Sequence, residues 1–432
     1  MINIPHFMPS KVFLTRIDQR GTPPSRERSR CRAAVSAHAV QWLSRLFALL
    51  LLMLAWLPAQ ATDFTFSGSQ VPSGCSGSNG TYTCTTLTLG ANDTITISSP
   101  TTITVVGALT VGADSRINTT GSASLNLVVN GLTTLGAKTV VKANLSSPAG
   151  VITIGAGSTF TGTLKTDSAA INVGAGSIIT GSIFTTVAGV INVGDGVEVV
   201  GSLNTFTGAI NVGDNSKVGS LISISAGAIT IGNGTEVKGN ITTGSGAITT
   251  GHDSIVKGDI TTRVGAITIG HHNTVGGNIN NFDTSTAGAV TALNHTVITG
   301  SIVTGAGAVT LENHVQVAGV TTNDGAITVG TQSTVNGSLC TGNSGAITVA
   351  THVAVSGNVT TKTAGAITLG SHVDVAGTVT VLGAGALTIG SQATFSATAN
   401  SSQCARVVVA VPTVPALPPS IKSRAWRQIF IR

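Results

Sequence analysis

The chain of 432 residues carries a formal net charge of +6, although only 9% of its residues are charged and 3% are aromatic. The positive charge lies at the two ends, because residues 62–405 hold nine Lys/Arg against fourteen Asp/Glu, a net of −5. Nucleic-acid binding needs a basic surface, so this composition argues against a nucleic-acid partner. The regular β-branched pattern of the same region argues against disorder.

Residues 1–61 have the features of a secretory signal peptide with an extended basic region. Residues 1–45 have a net charge of +6, and an apolar run of twelve residues, Leu46–Leu57, precedes Ala59-Gln-Ala61. This order is typical of a signal peptide cleaved before Thr62. The run is short for a membrane span, so we expect membrane contact only through the cleaved peptide. The sequence therefore predicts export to the periplasm, the cell surface or the medium.

Residues 62–86 form a non-repetitive segment rich in Gly and Ser. Cys75 and Cys84 lie nine residues apart around Ser-Gly-Ser-Asn-Gly, a sequence that favours a turn. In an oxidising compartment such a turn lets the two cysteines form a disulfide, which we predict.

From residue 87 to about 400 the phrase Gly-Ala-Ile-Thr-Ile-Gly recurs in variants, for example at Gly227–Gly232. We define the central aliphatic residue of each copy as its marker. The regular copies have their markers at Ile152, Ile171, Ile191, Ile210, Ile229, Ile248, Ile267, Val290, Val309, Ile327, Ile347, Ile367 and Leu387. A steady period of 19–20 residues is typical of a solenoid, in which each repeat buries its apolar side by stacking on its neighbours.

The predicted fold is an all-β parallel β-helix of about 16 coils, roughly 75 Å long at ~4.8 Å per coil. The period departs from a strict hexapeptide repeat, which favours a right-handed helix. Each coil has a second strand pattern, as in Val237–Thr242, where alternation places Val237, Gly239 and Ile241 inward. Asn-Gly, Asp-Gly and His-Asn pairs mark corners at which positive φ is needed.

Three features distinguish the C-terminal part of the chain. Four extra residues before Val290, around Phe282–Thr286, predict a loop. Residues 401–432 are Pro-rich and basic, and we predict a disordered tail. Cys340 lies three coils before the last one, roughly 14 Å along the axis, which is beyond disulfide reach of Cys404 unless the tail folds back.

A column of histidines is the sharpest polar pattern. It falls five residues after the marker, where other coils have Gln332 and Gln392, and it consists of His272, His295, His314, His352 and His372. Equivalent positions of a solenoid stack, so the rings should line one corner ~5 Å apart. Neutral imidazoles at this spacing can bind a divalent metal, or they can charge together at acidic pH and repel. No Cys, Asp or Glu completes a ligand set at the same level, so we favour a stacked corner ladder and predict neither a metal nor a cofactor.

A column of threonines directly follows the markers, with Ala before the marker in most coils. It consists of Thr230, Thr249, Thr268, Thr291, Thr310, Thr328, Thr348, Thr368 and Thr388. A flat, regular Ala-x-Thr face is what an ice-binding solenoid presents, and it also suits a glycan. The alternative is that Thr favours exposed strand positions and that stacked hydroxyls help strands pair.

The acidic residues give no pattern typical of catalysis. Carbohydrate-cleaving enzymes need paired carboxylates, whereas those of the regular coils are scattered, mostly at corners: Asp195, Glu198, Asp214, Glu236, Asp253 and Asp259. We therefore predict that the chain is not an enzyme.

The signal peptide, the segment Phe64–Cys75 with Tyr82-Thr-Cys84, and the coils that follow together resemble the N-terminal region of MshQ-type proteins. That resemblance implies a β-helical surface protein associated with biogenesis of mannose-sensitive haemagglutinin (type IV) pili. The phrase Ile-Gly-x-x-x-x-Val-x-Gly-x-Ile also resembles the polymer-forming bactofilins.

The function expected from these features is an exported, structural or adhesin-like rod at the cell surface, linked to pilus biogenesis. Its expected partners are cell-surface or pilus components, or other copies of the chain joined end to end. An ice- or glycan-binding face and a filament-forming scaffold are the alternatives.

Overall fold

The computed structural model describes residues 61–66 and 71–396. Within these residues every regular element is a β-strand, and almost all pairings are parallel, so the predicted parallel β-solenoid is confirmed. No helix that could span a membrane is found in this part of the chain. The predictions for residues 1–60 and 401–432 lie outside the described residues.

Each coil contributes three strand segments, which stack into three faces of the solenoid. The marker face consists of strands Leu87–Leu89, Leu109–Val111, Thr133–Leu135, Ile152–Ile154, Ile171–Val173, Ile191–Val193, Ile210–Val212, Ile229–Ile231, Ile248–Thr250, Ile267–Ile269, Val290–Ala292, Val309–Leu311, Ile327–Val329, Ile347–Val349, Ile367–Leu369 and Leu387–Ile389. The second face consists of Asp63–Phe66, Thr94–Ile97, Arg116–Ile117, Val140–Lys142, Thr159–Thr161, Ile178–Ile179, Glu198–Val199, Lys217–Val218, Glu236–Val237, Ile255–Val256, Thr274–Val275, Thr334–Val335, Ala354–Val355, Asp374–Val375 and Thr394–Phe395. The third face consists of Thr81–Cys84, Thr101–Val105, Leu125–Val129, Asn144–Ser147, Leu164–Thr166, Ile183–Thr185, Leu203–Thr205, Leu221–Ser223, Ile241–Thr243, Ile260–Thr262, Ile279–Asn281, Leu339–Thr341, Val359–Thr361 and Val379–Val381. Two longer strands, Val297–Thr304 and Gln316–Thr322, run through both the second and the third face.

The expectation of one continuous second strand per coil was wrong for most coils. In Val237–Thr242 the strand stops at Val237 and resumes at Ile241, although Val237 and Ile241 are buried as the alternation predicted. The break forms a corner at which the Asn240 side chain accepts a hydrogen bond from the Asp259 amide of the next coil, at 2.9 Å. A sharp corner costs less when a side chain satisfies the backbone groups that leave the ladder.

The core is one stripe of aliphatic side chains enclosed by the three faces. The markers Ile229, Ile267 and Ile347 are 0% exposed and belong to the same 16-stranded ladder, as predicted. Each fully buried Ile or Val contributes roughly 1.5–3 kcal/mol relative to an exposed position. Because every coil repeats this burial, stability accumulates between neighbouring coils.

Buried hydroxyls line the corner that follows the marker strand. The Ser254 hydroxyl accepts a hydrogen bond from the Thr235 amide at 3.2 Å and donates one to the Gly232 carbonyl at 3.0 Å, both in the preceding coil. Ser177 and Ser216 make the equivalent bonds, each to the coil that precedes its own. These hydroxyls satisfy backbone groups that the corner removes from the ladders.

The corner between the third strand and the next marker strand is closed by glycines that touch one another. A Cβ at Gly208, Gly227, Gly246 or Gly265 would overlap the carbonyl of the equivalent glycine one coil earlier. The coils therefore approach too closely for a side chain at any of these four glycines.

The N-terminal end of the core is closed. The strand Cys75–Ser78 pairs antiparallel with Thr81–Cys84, and the predicted Cys75–Cys84 disulfide joins the two strands. Phe66 and Tyr82 pack edge to face at 5.2 Å and are almost fully buried. At the other end of the described solenoid, Ile389 is in register with the buried Leu369 but is itself 45% exposed.

The predicted loop before Val290 is present as residues 282–289, which lie between two strands. Asp283 stabilises it by accepting hydrogen bonds from the amides of Ser285 and Thr286 at 2.9 and 2.8 Å. These bonds favour the charged carboxylate and hold the pKa of Asp283 far below its usual range.

Candidate binding faces

The predicted threonine column lies on the marker face as one straight row. Each member is the central residue of its marker strand, points outward and is at least partly exposed. Strand register pairs Thr230 with Thr249, Thr249 with Thr268, and Thr368 with Thr388. The row also extends beyond the predicted nine residues, through Thr88, Thr110, Thr134 and Thr153 in the early coils.

Three asparagines take the place of threonine in the middle of this row. The amide of Asn192 donates to the side-chain oxygen of Asn172, and that of Asn211 donates to Asn192, both at 2.8 Å. The three side chains thus form an amide ladder that continues the direction of the strand hydrogen bonds. The row remains polar and uncharged over its full length.

From the coil of Ile210 onward, the other outward residue of each marker strand is a small alanine, which leaves the marker face flat. In the coil of Ile229, the outward neighbours are Ala228 and Thr230, and Gly232 follows at the corner. Hydroxyl and methyl groups therefore repeat at the interstrand spacing of ~4.8 Å without a protruding side chain between them. Such a face can adsorb to a regular surface, but it has no concave pocket for a small molecule.

The predicted histidine column is also a real stack. The ring centroids of His272 and His295 lie 5.0 Å apart, those of His295 and His314 lie 4.5 Å apart, and those of His352 and His372 lie 4.7 Å apart. Gln332 separates the two stacks, as its position in the sequence implies. His252 and His271 form a neighbouring stack at 5.0 Å.

The backbone explains why this corner takes histidine. All five histidines have φ between 57° and 61°, and Gln332 and Gln392 share this left-handed conformation. Gly, Asn, Asp and His tolerate that conformation better than most residues, and the earlier coils carry Gly157, Gly176 and Asn215 there. Among the described residues no group of three or more His, Cys, Asp or Glu is placed to hold a metal ion.

We expect acidification from pH 7 to pH 5 to loosen this corner. The pKa of His295 lies below its ordinary value, because partial desolvation by its neighbours, together with repulsion from His314, His272 and His271, disfavours the charged ring. Above about pH 6.5 the His295 ring is neutral in both the folded and the unfolded chain, so the free energy of unfolding does not depend on its protonation. Below that pH the unfolded chain binds the proton first, because the pKa of His295 is lower in the folded chain, and the folded state loses stability.

Hydrogen exchange at the His295 amide, which donates to the Asn313 carbonyl at 3.1 Å, measures this loss. After correction for the intrinsic pH dependence, protection should fall at pH 5 in the native chain and much less in His295→Gln, since Gln332 shows that glutamine fits this corner. Equal losses in both proteins would contradict the role of His295.

The carboxylates accept hydrogen bonds at the corners or form ion pairs with lysines. Asp214 accepts a hydrogen bond from the Asn233 amide at 2.6 Å, and Asp259 accepts one from Asn278 at 2.7 Å. Lys257 lies 2.6 Å from Glu236, and its hydrogen bond is the main reason that the pKa of Glu236 is lowered. These carboxylates are spread over different corners and faces, and each has a bond that explains its position.

Cys340 has a disulfide bond that the sequence analysis did not assign. This residue is 6% exposed and disulfide-bonded, and its partner lies outside the described residues. Cys75 and Cys84 are already bonded to each other.

The sequence matches no protein-family model, no curated protein and no solved structure. The resemblance to MshQ-type proteins and to bactofilins therefore remains a prediction.

The buried hydroxyl column was missed by the sequence analysis. Its signal was available as a small polar residue six positions after the marker, for example Ser158, Ser177, Ser216 and Ser254. These side chains are at most 1% exposed, because their hydrogen bonds to the preceding coil satisfy the hydroxyls inside the corner.

Proposed function

We propose that the chain is an exported structural or adhesin-like rod of the cell surface, without a catalytic role. The observation that carries this proposal is the unbroken ladder of the marker face, in which 16 strands follow one another without a gap. A protein that keeps one cross-section over so many coils is built to span a distance or to present a long face.

The rod resists bending because every coil is bonded to the next at all three faces. Beyond the strand hydrogen bonds, each corner adds side-chain bonds between coils, such as those of Ser254, Asn240 and Asp214. A single bond of this kind contributes only about 1 kcal/mol net. Repetition over the whole length turns these small contributions into stiffness.

The proposed location rests on two observations. The Cys75–Cys84 disulfide favours an oxidising compartment, which agrees with the signal peptide predicted for residues 1–61. The resemblance of residues 62–405 to MshQ-type proteins supports an association with type IV pilus biogenesis, with pilus or surface components as partners. Labelling of intact cells with a membrane-impermeant amine reagent tests the location, and an unlabelled chain would contradict it.

Removing whole coils tests the rod. Deletion of residues 229–266 joins Ala228 to Ile267 and removes two coils in register, since Ile229 and Ile267 occupy equivalent positions. We expect a folded protein about 10 Å shorter in solution scattering and weaker attachment of cells to surfaces. Deletion of residues 229–257 removes about one and a half coils, which brings inequivalent positions into register, and should prevent folding. Unchanged attachment by the folded, shortened rod would contradict the proposal.

The second candidate function is binding of ice or of a regular polysaccharide by the marker face. The in-register threonine row favours it, because a lattice is recognised by matching repeats rather than by a pocket. We expect Thr268→Tyr, which interrupts the row, to abolish thermal hysteresis or retention on insoluble polysaccharide. The matched control is Thr242→Tyr on the third face, which should retain either activity. A native protein with neither activity would refute this second function.

A further inference from the structure

One row of outward residues on the second face has the same order of residue types in both directions along the solenoid. Each member directly precedes the buried core residue of its strand, and strand register places the members one above the other. In chain order they are Val140, Thr159, Ile178, Glu198, Lys217, Glu236, Ile255, Thr274 and Val297. We call these nine residues the mirrored row, with Lys217 at its centre. One step beyond its ends lie Arg116 and Gln316, both long and polar, and two steps beyond lie Thr94 and Thr334.

The mirrored row leaves apolar side chains open to solvent. Every member is at least partly exposed, and Ile178 and Ile255 are 42% and 44% exposed. Val200, which lies beside the row, is 52% exposed. An outward strand position on a solvated face usually carries a polar residue. Large apolar side chains on one side of a rod, with charged residues between them, are typical of a contact surface.

This symmetry is what a contact between two identical antiparallel rods requires. When a two-fold axis crosses the row at Lys217, each position faces the position that lies equally far from Lys217 in the opposite direction on the other rod. Apolar side chains then face apolar ones, and hydroxyls face hydroxyls. The positions that face each other are Ile178 with Ile255, Thr159 with Thr274, and Val140 with Val297.

The isoleucines also fix the register of such a contact. A shift of the axis by half a coil step in one direction would set Ile178 against Glu236 of the partner subunit. The same shift in the other direction would set Ile255 against Glu198 of the partner subunit. Either shift would desolvate a carboxylate against an apolar side chain, which is unfavourable.

The charged centre of the row is compatible with this arrangement. Lys257 lies 2.6 Å from Glu236, and Lys238 lies 3.7 Å from Glu198, so each carboxylate has an ammonium partner in its own chain. Across the contact, Glu198 faces Glu236 of the partner subunit, and the Lys217 ammonium groups lie one coil step away. The two rods together bring four carboxylates and six ammonium groups to this region, so no large excess of one sign is buried.

The second face is large enough for a stable contact. With the axis at Lys217, all but two coils of this face overlap, over a length of roughly 65 Å at ~4.8 Å per coil. A strand width of roughly 10 Å gives about 650 Å² per rod, close to the ~800 Å² per partner of a standard protein interface.

We propose that two copies of the chain pair side by side and antiparallel through their second faces, with the two-fold axis at Lys217. The pairing leaves both marker faces uncovered, and their threonine rows run in opposite directions. It differs from the end-to-end contact expected from the sequence, because it doubles the width of the rod and not its length.

Sedimentation equilibrium and solution scattering of the full-length exported protein test the pairing. We expect a dimer little longer than the monomer, whereas an end-to-end dimer would be about twice as long. Ile178→Glu should weaken the dimer about tenfold or more, because the new carboxylate faces the partner's Ile255 at two places. The matched control is Val187→Glu, at a 52% exposed valine outside the second face, which should leave the dimer unchanged. A chain that stays monomeric at ~1 mM, an end-to-end dimer, or equal weakening by both variants would overturn the proposal.

A second substitution tests the antiparallel register. Adding Ile255→Lys to Ile178→Glu sets the new ammonium group against the new carboxylate of the partner subunit, so dimerisation should recover to within about threefold of native. Circular dichroism establishes that each variant is folded. A double variant that dimerises no better than Ile178→Glu would contradict the register.

Cross-linking gives a test that leaves the charged and apolar residues unchanged. A mixture of Thr159→Cys and Thr274→Cys proteins should be joined by a short bis-maleimide, because these positions face each other. Thr159→Cys alone should not be joined, because its two copies lie ~29 Å apart along the axis. Efficient cross-linking of Thr159→Cys alone would indicate parallel rods and refute the proposal.

Discussion

Valine in place of Gly227 is expected to destabilise the surrounding coils by about 3 kcal/mol or more. The Cβ of the new residue would overlap the carbonyl group of Gly208 in the preceding coil. This is a contact with backbone, so no change of rotamer relieves it, and the two coils must separate. Separation weakens the hydrogen bonds of all three faces at once.

Hydrogen exchange is the suitable measurement, because a solenoid loses stability locally before it unfolds as a whole. Protection should fall at the Ile210 and Ile229 amides and should persist at Ile347. The matched control is Gly176→Asn, at a corner with φ of 65° and no atom within 4 Å of the new Cβ. Equal protection in the Gly227→Val and Gly176→Asn proteins would refute the close-packing argument.

The second large effect is expected at the N-terminal end of the solenoid. Replacing Cys75 and Cys84 by alanine should cost about 2–3 kcal/mol there, from the loop entropy that the disulfide removes in the unfolded chain. The hairpin of Cys75–Ser78 and Thr81–Cys84 would then separate readily, and Phe66 and Tyr82 would become accessible to water.

The loss should be confined to the first coils, because each coil contacts only its neighbours. Amides near Leu87 and Leu109 should exchange faster, whereas those near Ile267 should not change. Adding a reductant to the native chain should reproduce the effect of the double alanine variant near Leu87. Uniform loss of protection along the whole solenoid would contradict a local closing role for the disulfide.

The period of the sequence was sufficient to predict the stacking register. Near-identical repeats have one arrangement in which all of them bury the same residues, so Ile229, Ile267 and Ile347 fall on one ladder. The same argument predicted the threonine row, the stacked histidines and the loop before Val290. These features depend only on which positions are equivalent.

Features that depend on the path of the backbone within a coil were harder to predict from the sequence. The corner between Val237 and Ile241 keeps the alternation of buried and exposed residues, so the pattern reads as one strand although the chain bends. The sequence also gives no sign that the hydroxyl of Ser254 points inward. Its hydrogen bonds go to backbone groups that lack a ladder partner only once the corner has folded. The bonding partner of Cys340 lies outside the described residues, where the repeat gives no prediction.

The left-handed corner five residues after each marker constrains the backbone and leaves the side chain almost free. Lys138, Gly157, Asn215, Asp253 and His272 all meet its requirement in different coils. Where the residue is not glycine, its side chain projects into solvent, so charge, hydrogen-bonding capacity or pH response can be changed in one coil at a time while the core stays as it is. The surface chemistry of this corner can therefore evolve independently of the fold, because substitutions there do not change the residues of the core.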